Sequence, residues 1–333
     1  MMSNYDSVGV IGGGSWGTTL AHLSGINNNK TLLWMRDEEG IEEINNKNRN
    51  SKYTKEYAIS ENIKATDSLE EVAENCEIII VAIPSHSFRR ITYKLGNYVK
   101  GDQILLSASK GLEQKTRSRM TSILLEETCC KKIGVIAGPN LFEEILKGHP
   151  SATVVASHFN EVIVKTIKAF ASQSFRVYGN NDVLGSELGG SIKNIVAIAA
   201  GIIDGLDFGN NSKSLLVTRG ISEMCRIGSK LGTNNSTFTG LTGVGDTMVT
   251  CACNLSRNYR VGYHLAKGKS LNYICENIVS VAEGINTCKV IHEFALEVGV
   301  ELPIIRGVYE IVHENKDIME VITSLMQRKS LWE

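Results

Sequence analysis

Val8-Gly9-Val10-Ile11-Gly12-Gly13-Gly14-Ser15-Trp16-Gly17 runs from a short apolar segment straight into glycines. The apolar part suits a buried strand, and residues 16–24 suit a helix. Gly12, Gly14 and Gly17 fall at the spacing G-x-G-x-x-G. Gly12 permits a tight turn. Gly14 lets the backbone approach a pyrophosphate that a side chain would strike, and Gly17 lets the helix lie close on the strand. The helix N-terminus then offers unpaired N–H groups to the anion. The spacing alone is a weak signal, but a strand before it, a helix behind it and a second strand at 31–35 make a dinucleotide-binding loop.

Outward from this loop the first half alternates. Short apolar strands are predicted at 8–11, 31–35, 78–83, 104–108 and 133–137, with a further helix at 68–74. Fully apolar strands alternating with helices imply a parallel sheet covered on both faces. From about residue 185 the pattern turns helical, at 187–203, 214–230, 260–266, 281–298 and 308–313. Gly179-Asn180-Asn181-Asp182 reads as a turn near the boundary. The Asn/Lys-rich stretch 45–55 reads as a solvated surface connection. The predicted architecture is α/β: a doubly wound Rossmann-like parallel sheet over residues 1–182, then a mainly α-helical domain over 183–333.

Composition excludes several classes. Of 333 residues, 42% are hydrophobic and 21% charged, as in soluble globular proteins. The net charge of -1 gives no broad basic field for nucleic acid, so anion recognition must be local. The start lacks the flanks of a secretory signal, and no apolar run reaches the length of a membrane span. The longest such run, 195–203, reads as a buried helix. None of the eight cysteines sits in a CxxC pair and no His cluster accompanies them, so reduced thiols in a cytoplasmic protein and no metal site are expected.

The end of the second strand, Trp34-Met35-Arg36-Asp37, carries a mixed sign. An acidic residue there favours the ribose hydroxyls of NAD, whereas an arginine accommodates the 2′-phosphate of NADP.

Four further segments carry chemistry. Lys110, in Ser107-Ala108-Ser109-Lys110-Gly111-Leu112-Glu113, follows a strand directly, which places it either on a phosphate or carboxylate or on the surface. Lys193 and Asn194 are the main polar side chains of an apolar helix before Asp204. Such a lysine either snorkels or, desolvated in a cleft, becomes a usable proton acceptor. Asp246, in a glycine-rich turn followed by Thr250, either caps a helix or, near that lysine, orients it or binds substrate hydroxyls. Ser256 suits an N-cap, while Arg257 and Asn258 suit a grip on phosphate oxygens at a helix start. Together these segments call for a small phosphorylated alcohol or ketone beside a nicotinamide.

The motifs GGGSWG, AIPSHSFR, SKGLE, AGPN, ELGGSIKNIVAIAAGI, TRGISEM, GVGDTMVTC, LSRN and VAEG, in this order, resemble bacterial NAD(P)-dependent glycerol-3-phosphate dehydrogenases over residues 8–325. The resemblance implies that Lys193 is the proton acceptor and that Lys110 touches both cofactor and substrate. It implies substrate contacts at Gly138, Asp246, Ser256, Arg257 and Asn258. It also implies cofactor contacts at Ser15, Trp16, Arg36, Arg257, Val281 and Glu283. One segment departs from the family's Gly-Pro-Ser/Thr-Phe-Ala-Lys-Glu: here Gly138-Pro139-Asn140-Leu141-Phe142-Glu143-Glu144. Asn140 keeps the hydrogen-bonding capacity for substrate, and Phe142 stands where a small residue is expected beside the cofactor.

The resemblance thus implies reversible hydride transfer between sn-glycerol 3-phosphate and NADP+ or NAD+, feeding glycerophospholipid synthesis. A homodimer remains open. Two rival readings carry the same loop: a dehydrogenase of a 3-hydroxy acid or sugar-acid phosphate, and a non-catalytic dinucleotide sensor.

Overall fold

In the computed structural model the chain forms two units, Met1–Glu187 and Leu188–Glu333. Residues 7–27, 29–252, 254–279 and 282–329 are described. The helix Val183–Gly205 begins in the first unit and continues into the second.

The first unit holds one eight-stranded sheet: β1 Val8–Ile11, β2 Thr31–Trp34, β3 Ile63–Thr66, β4 Ile78–Val81, β5 Ile104–Ser107, β6 Lys132–Ala137, β7 Ser151–Ser157 and β8 Phe175–Asn180. The order is β3-β2-β1-β4-β5-β6-β7-β8. It reverses between β1 and β4, the switch point beyond whose carboxyl ends such sheets bind ligands. β1 and β4 are apolar throughout because successive side chains enter different cores. Val8, Val10, Ile78 and Ile80 enter one cluster. Ile11, Ile79 and Val81 enter another.

Three features differ from the sequence-based expectation. First, the sheet is parallel except between β6 and β7, which run antiparallel. The intervening helix Phe142–Leu146 has five residues, about 7.5 Å of rise. Gly138, at φ +139°, turns the chain out of β6, and the chain comes back antiparallel beside it. Second, β3, β7 and β8 were not predicted. β3 and β8 are the sheet edges, with exposed polar positions that blur the apolar signal. Gly179 and Asn180, read as a turn, pair with Val155 and Ala156 inside the sheet. Third, the 45–55 stretch is not simply solvated. Helices Glu38–Lys47 and Ser51–Thr54 occupy it, and Asn50 and Thr54 are fully buried.

The second unit is helical among its described residues. Helix Asn210–Lys230 is tied to helix Pro303–His313 by Glu223, which accepts hydrogen bonds from the Ile304 and Ile305 amides at 2.6 and 3.1 Å. Burial pushes this carboxyl up to about 7. Helix Val183–Gly205 is long and apolar enough to cross a membrane by length and composition, but 89% of its most apolar window is buried inside the protein, in keeping with the buried helix read at 195–203. It is a core helix.

Candidate active site

The glycine loop is built as its spacing requires. Gly12 has φ +127°, and a Cβ there would strike the Ala82 carbonyl oxygen. A Cβ on Gly17 would overlap the Gly12 carbonyl, so helix Ser15–Ile26 can pack this closely only with glycine. At Gly14 the opposite holds: no atom lies within 4 Å of a Cβ position, leaving open space at the helix start. Gly14 caps the helix without any side-chain hydrogen bond. Exposed N–H groups, a positive helix end and open space in front fit a dinucleotide pyrophosphate. Ser15 Oγ donates to the Tyr53 carbonyl at 2.8 Å, and half-buried Trp16 packs on the core.

Around the carboxyl end of β5 the unit gathers three of the predicted substrate residues. Ser109 Oγ donates to the Ile83 carbonyl at 2.5 Å, fixing the loop after β5 to the end of β4. The next residue, Lys110, is half-buried and donates to the Gly138 carbonyl at 3.2 Å. Gly138 has φ +139°, which turns the chain out of β6. Asn140 Nδ2 donates to Thr153 Oγ1 at 3.1 Å, whereas its buried Oδ1 has no hydrogen-bond partner. An acceptor buried without a donor calls for a ligand or water. Phe142 begins a short helix that packs against helix Ser15–Ile26. At the end of β2, Arg36 is exposed, while Asp37 is ion-paired to Lys52 at 2.7 Å.

In the second unit Lys193 and Asp246 form a buried ion pair, with side chains 7% and 1% exposed. Lys193 Nζ also donates to Thr250 Oγ1 at 2.7 Å, and that hydroxyl donates to the Asp246 carbonyl at 2.6 Å. A buried ammonium is tolerable only when paired. The snorkelling alternative is therefore excluded, and Asp246 is the carboxylate that pairs with Lys193. Glycines make the meeting possible. A Cβ on Gly189 would lie 2.5 Å from the Thr242 carbonyl oxygen, and one on Gly243 would strike the Phe238 backbone. The π-helical turn Leu241–Gly245 then delivers Asp246. Thr250 was noticed in the sequence without a role; four residues beyond Asp246 on one helix, it shares that residue's face.

Ser256 caps helix Arg257–Ala266 by accepting from the Tyr259 amide at 3.2 Å. Arg257 is exposed at the first helical position. Buried Asn258 accepts from the Gly284 amide at 2.9 Å, next to Glu283, which opens helix Glu283–Glu297. Val281 lies outside the described residues. Among the described residues no group of three or more metal-ligating side chains lies together.

The first unit's anion cradle suited to a dinucleotide and, in the second unit, a buried ammonium held by a carboxylate and a hydroxyl are each equipment of a Rossmann-type dehydrogenase. A family model for the NAD-dependent glycerol-3-phosphate dehydrogenase N-terminus matches residues 7–163, and the corresponding C-terminus model matches residues 182–323. The chain belongs to this family. It is 41% identical over 325 residues to a glycerol-3-phosphate dehydrogenase (NAD(P)+) of Teredinibacter turnerae, covering 98% of this chain and 96% of that one. It is 42% identical over 322 residues to the protein of the same name from Clostridium botulinum, covering 97% of each. The crystal structure of glycerol-3-phosphate dehydrogenase from Coxiella burnetii matches with a TM-score of 0.91 at 32% identity, covering 97% of this chain and 99% of that one.

Proposed function

We propose that this chain is an NAD(P)-dependent glycerol-3-phosphate dehydrogenase. It interconverts sn-glycerol 3-phosphate and NAD(P)+ with dihydroxyacetone phosphate, NAD(P)H and a proton. The observation that carries the reading is Lys193, buried and held by Asp246 and Thr250. The bound coenzyme supplies a hydride acceptor for C2 in one direction and a hydride donor in the other.

The remaining work falls to the chain's own residues. In the reducing direction the Lys193 ammonium polarises the ketone oxygen and donates a proton to it. In the oxidising direction the neutral amine accepts the C2 hydroxyl proton. A cation at the oxygen where charge develops removes the need for a metal. Arg257, Ser256 and Asn258 hold the phosphate, with Arg257 supplying the charge-assisted bonds. Lys110, Gly138, Asn140 and Asp246 contact the substrate. Gly12, Gly14, Ser15, Trp16 and Gly17 cradle the pyrophosphate, and Arg36, Lys110, Phe142, Arg257, Val281 and Glu283 complete the coenzyme's contacts. A cytoplasmic homodimer feeding glycerophospholipid synthesis is the setting that accompanies this reading. The rival activities are not favoured, since the family match covers both units. The test is loss of nicotinamide absorbance with dihydroxyacetone phosphate; no consumption of NADH or NADPH would refute the reading.

Arg36 makes NADPH the preferred coenzyme. Its exposed guanidinium can pair with a 2′-phosphate and stack on adenine. Exposed pairs contribute only about 1 kcal/mol, so the preference is expected to be roughly five- to tenfold. Comparing kcat/KM for the two coenzymes, with and without Arg36→Ala, checks this. A wild type that favours NADH, or an unmoved ratio in the variant, assigns the ribose to another residue.

A further inference from the structure

The site after β2 contains a contradiction that the fold resolves. Positions 36–39 hold one cation, Arg36, and three carboxylates, Asp37, Glu38 and Glu39. Left so, they would repel a 2′-phosphate. Asp37 would instead accept hydrogen bonds from free ribose hydroxyls, the usual device for selecting NAD.

Lys52 changes that balance. Its Nζ lies 2.7 Å from Asp37 Oδ2, and the two side chains are 63% and 30% exposed, so the pair stays open to a ligand. The lysine is not on a drifting loop. Asn50, fully buried, donates to the Gly13 carbonyl at 2.9 Å and to Thr18 Oγ1 at 2.8 Å. Ser15 Oγ donates to the Tyr53 carbonyl at 2.8 Å. Thr54 Oγ1, also buried, closes the turn on the Asn50 carbonyl at 3.0 Å. The short helix carrying Lys52 is thereby bolted to the glycine loop at both ends, and its register against Asp37 follows from that.

We propose that Lys52 is a coenzyme-specificity residue: by pairing with Asp37 it masks the carboxylate that would otherwise reject the 2′-phosphate, and so lets Arg36 select NADPH. This rests on the dinucleotide reading above. Lys52 acts on ligand choice through Asp37 and takes no part in hydride or proton transfer.

Binding without turnover provides the test. The affinities of the full chain for NADPH and for NADH are measured by titration calorimetry with no substrate present. Lys52→Ala is expected to lower the NADPH-to-NADH affinity ratio about three- to fivefold, the span of an exposed ion pair. Lys52→Arg should keep the wild-type ratio, because its charge still reaches Asp37. Adding Asp37→Asn to Lys52→Ala should restore the ratio, since no carboxylate is then left to mask. A ratio unmoved by Lys52→Ala, or one that Asp37→Asn fails to restore, overturns the proposal. A wild type that binds neither dinucleotide refutes the coenzyme reading itself, which separates the two failures.

Discussion

Replacing Lys193 with alanine is expected to lower kcat about 10²–10⁴-fold, the usual contribution of a positioned acid–base group, with dinucleotide affinity unchanged. The reason lies in the second unit, where Lys193 Nζ is held by Asp246 and Thr250 and shielded from water. Alanine also strands Asp246 as an uncompensated buried charge, which costs about 3–5 kcal/mol of stability. Lys193→Gln separates the two effects. Its amide can still donate to Asp246 and Thr250, but it exchanges no proton near neutral pH. We expect Lys193→Gln to lose less stability than the alanine variant, because Asp246 keeps hydrogen-bond donors though not a counter-charge, and to be as inactive as it. Either folded variant retaining more than about a tenth of wild-type kcat would remove Lys193 from the proton transfer.

Arg257→Ala is expected to raise KM for dihydroxyacetone phosphate far more than it lowers kcat. Hydrogen bonds to a charged group contribute about 1.5–3 kcal/mol. Arg257 is exposed at the start of its helix, with Ser256 capping below it, so its guanidinium is available to an incoming phosphate. The informative comparison is with unphosphorylated dihydroxyacetone, which has no phosphate to lose. Its poor kcat/KM should hardly change. Equal losses for both substrates would mean that Arg257 supports the fold or the coenzyme rather than the phosphate. The helix itself should survive the substitution, because the cap is the Ser256 hydroxyl and alanine is a good helix former.

Much of this site was legible from local sequence. Gly12, Gly14 and Gly17 could be given separate tasks, and the structure places a carbonyl, open space and another carbonyl opposite their missing side chains. Lys193 stood out because a cation in an apolar helix needs a reason. Lys52 escaped notice for the opposite reason: in an Asn/Lys-rich stretch, a lysine has the composition of solvated surface. Nothing in its neighbours revealed that Asn50 would be buried beneath the glycine loop.

What the sequence by itself determined were properties settled within a few residues. These are the backbone freedom of the glycines, the apolar strands at the sheet centre, the helical texture after residue 185 and the Ser256 cap. Each depends on sterics or hydrogen bonds between near neighbours. Tertiary structure alone decided the rest. Lys193 and Asp246 lie 53 positions apart, and the former acquires a partner rather than snorkelling only because Gly189 and Gly243 let two backbones approach closely. The edge strands β3 and β8 exist through pairing with strands already in place. Asp37 gains its ion-pair partner Lys52, 15 positions away, only through the fold. Charge and pairing over such separations depend on where the fold carries each group, and local composition holds no record of that.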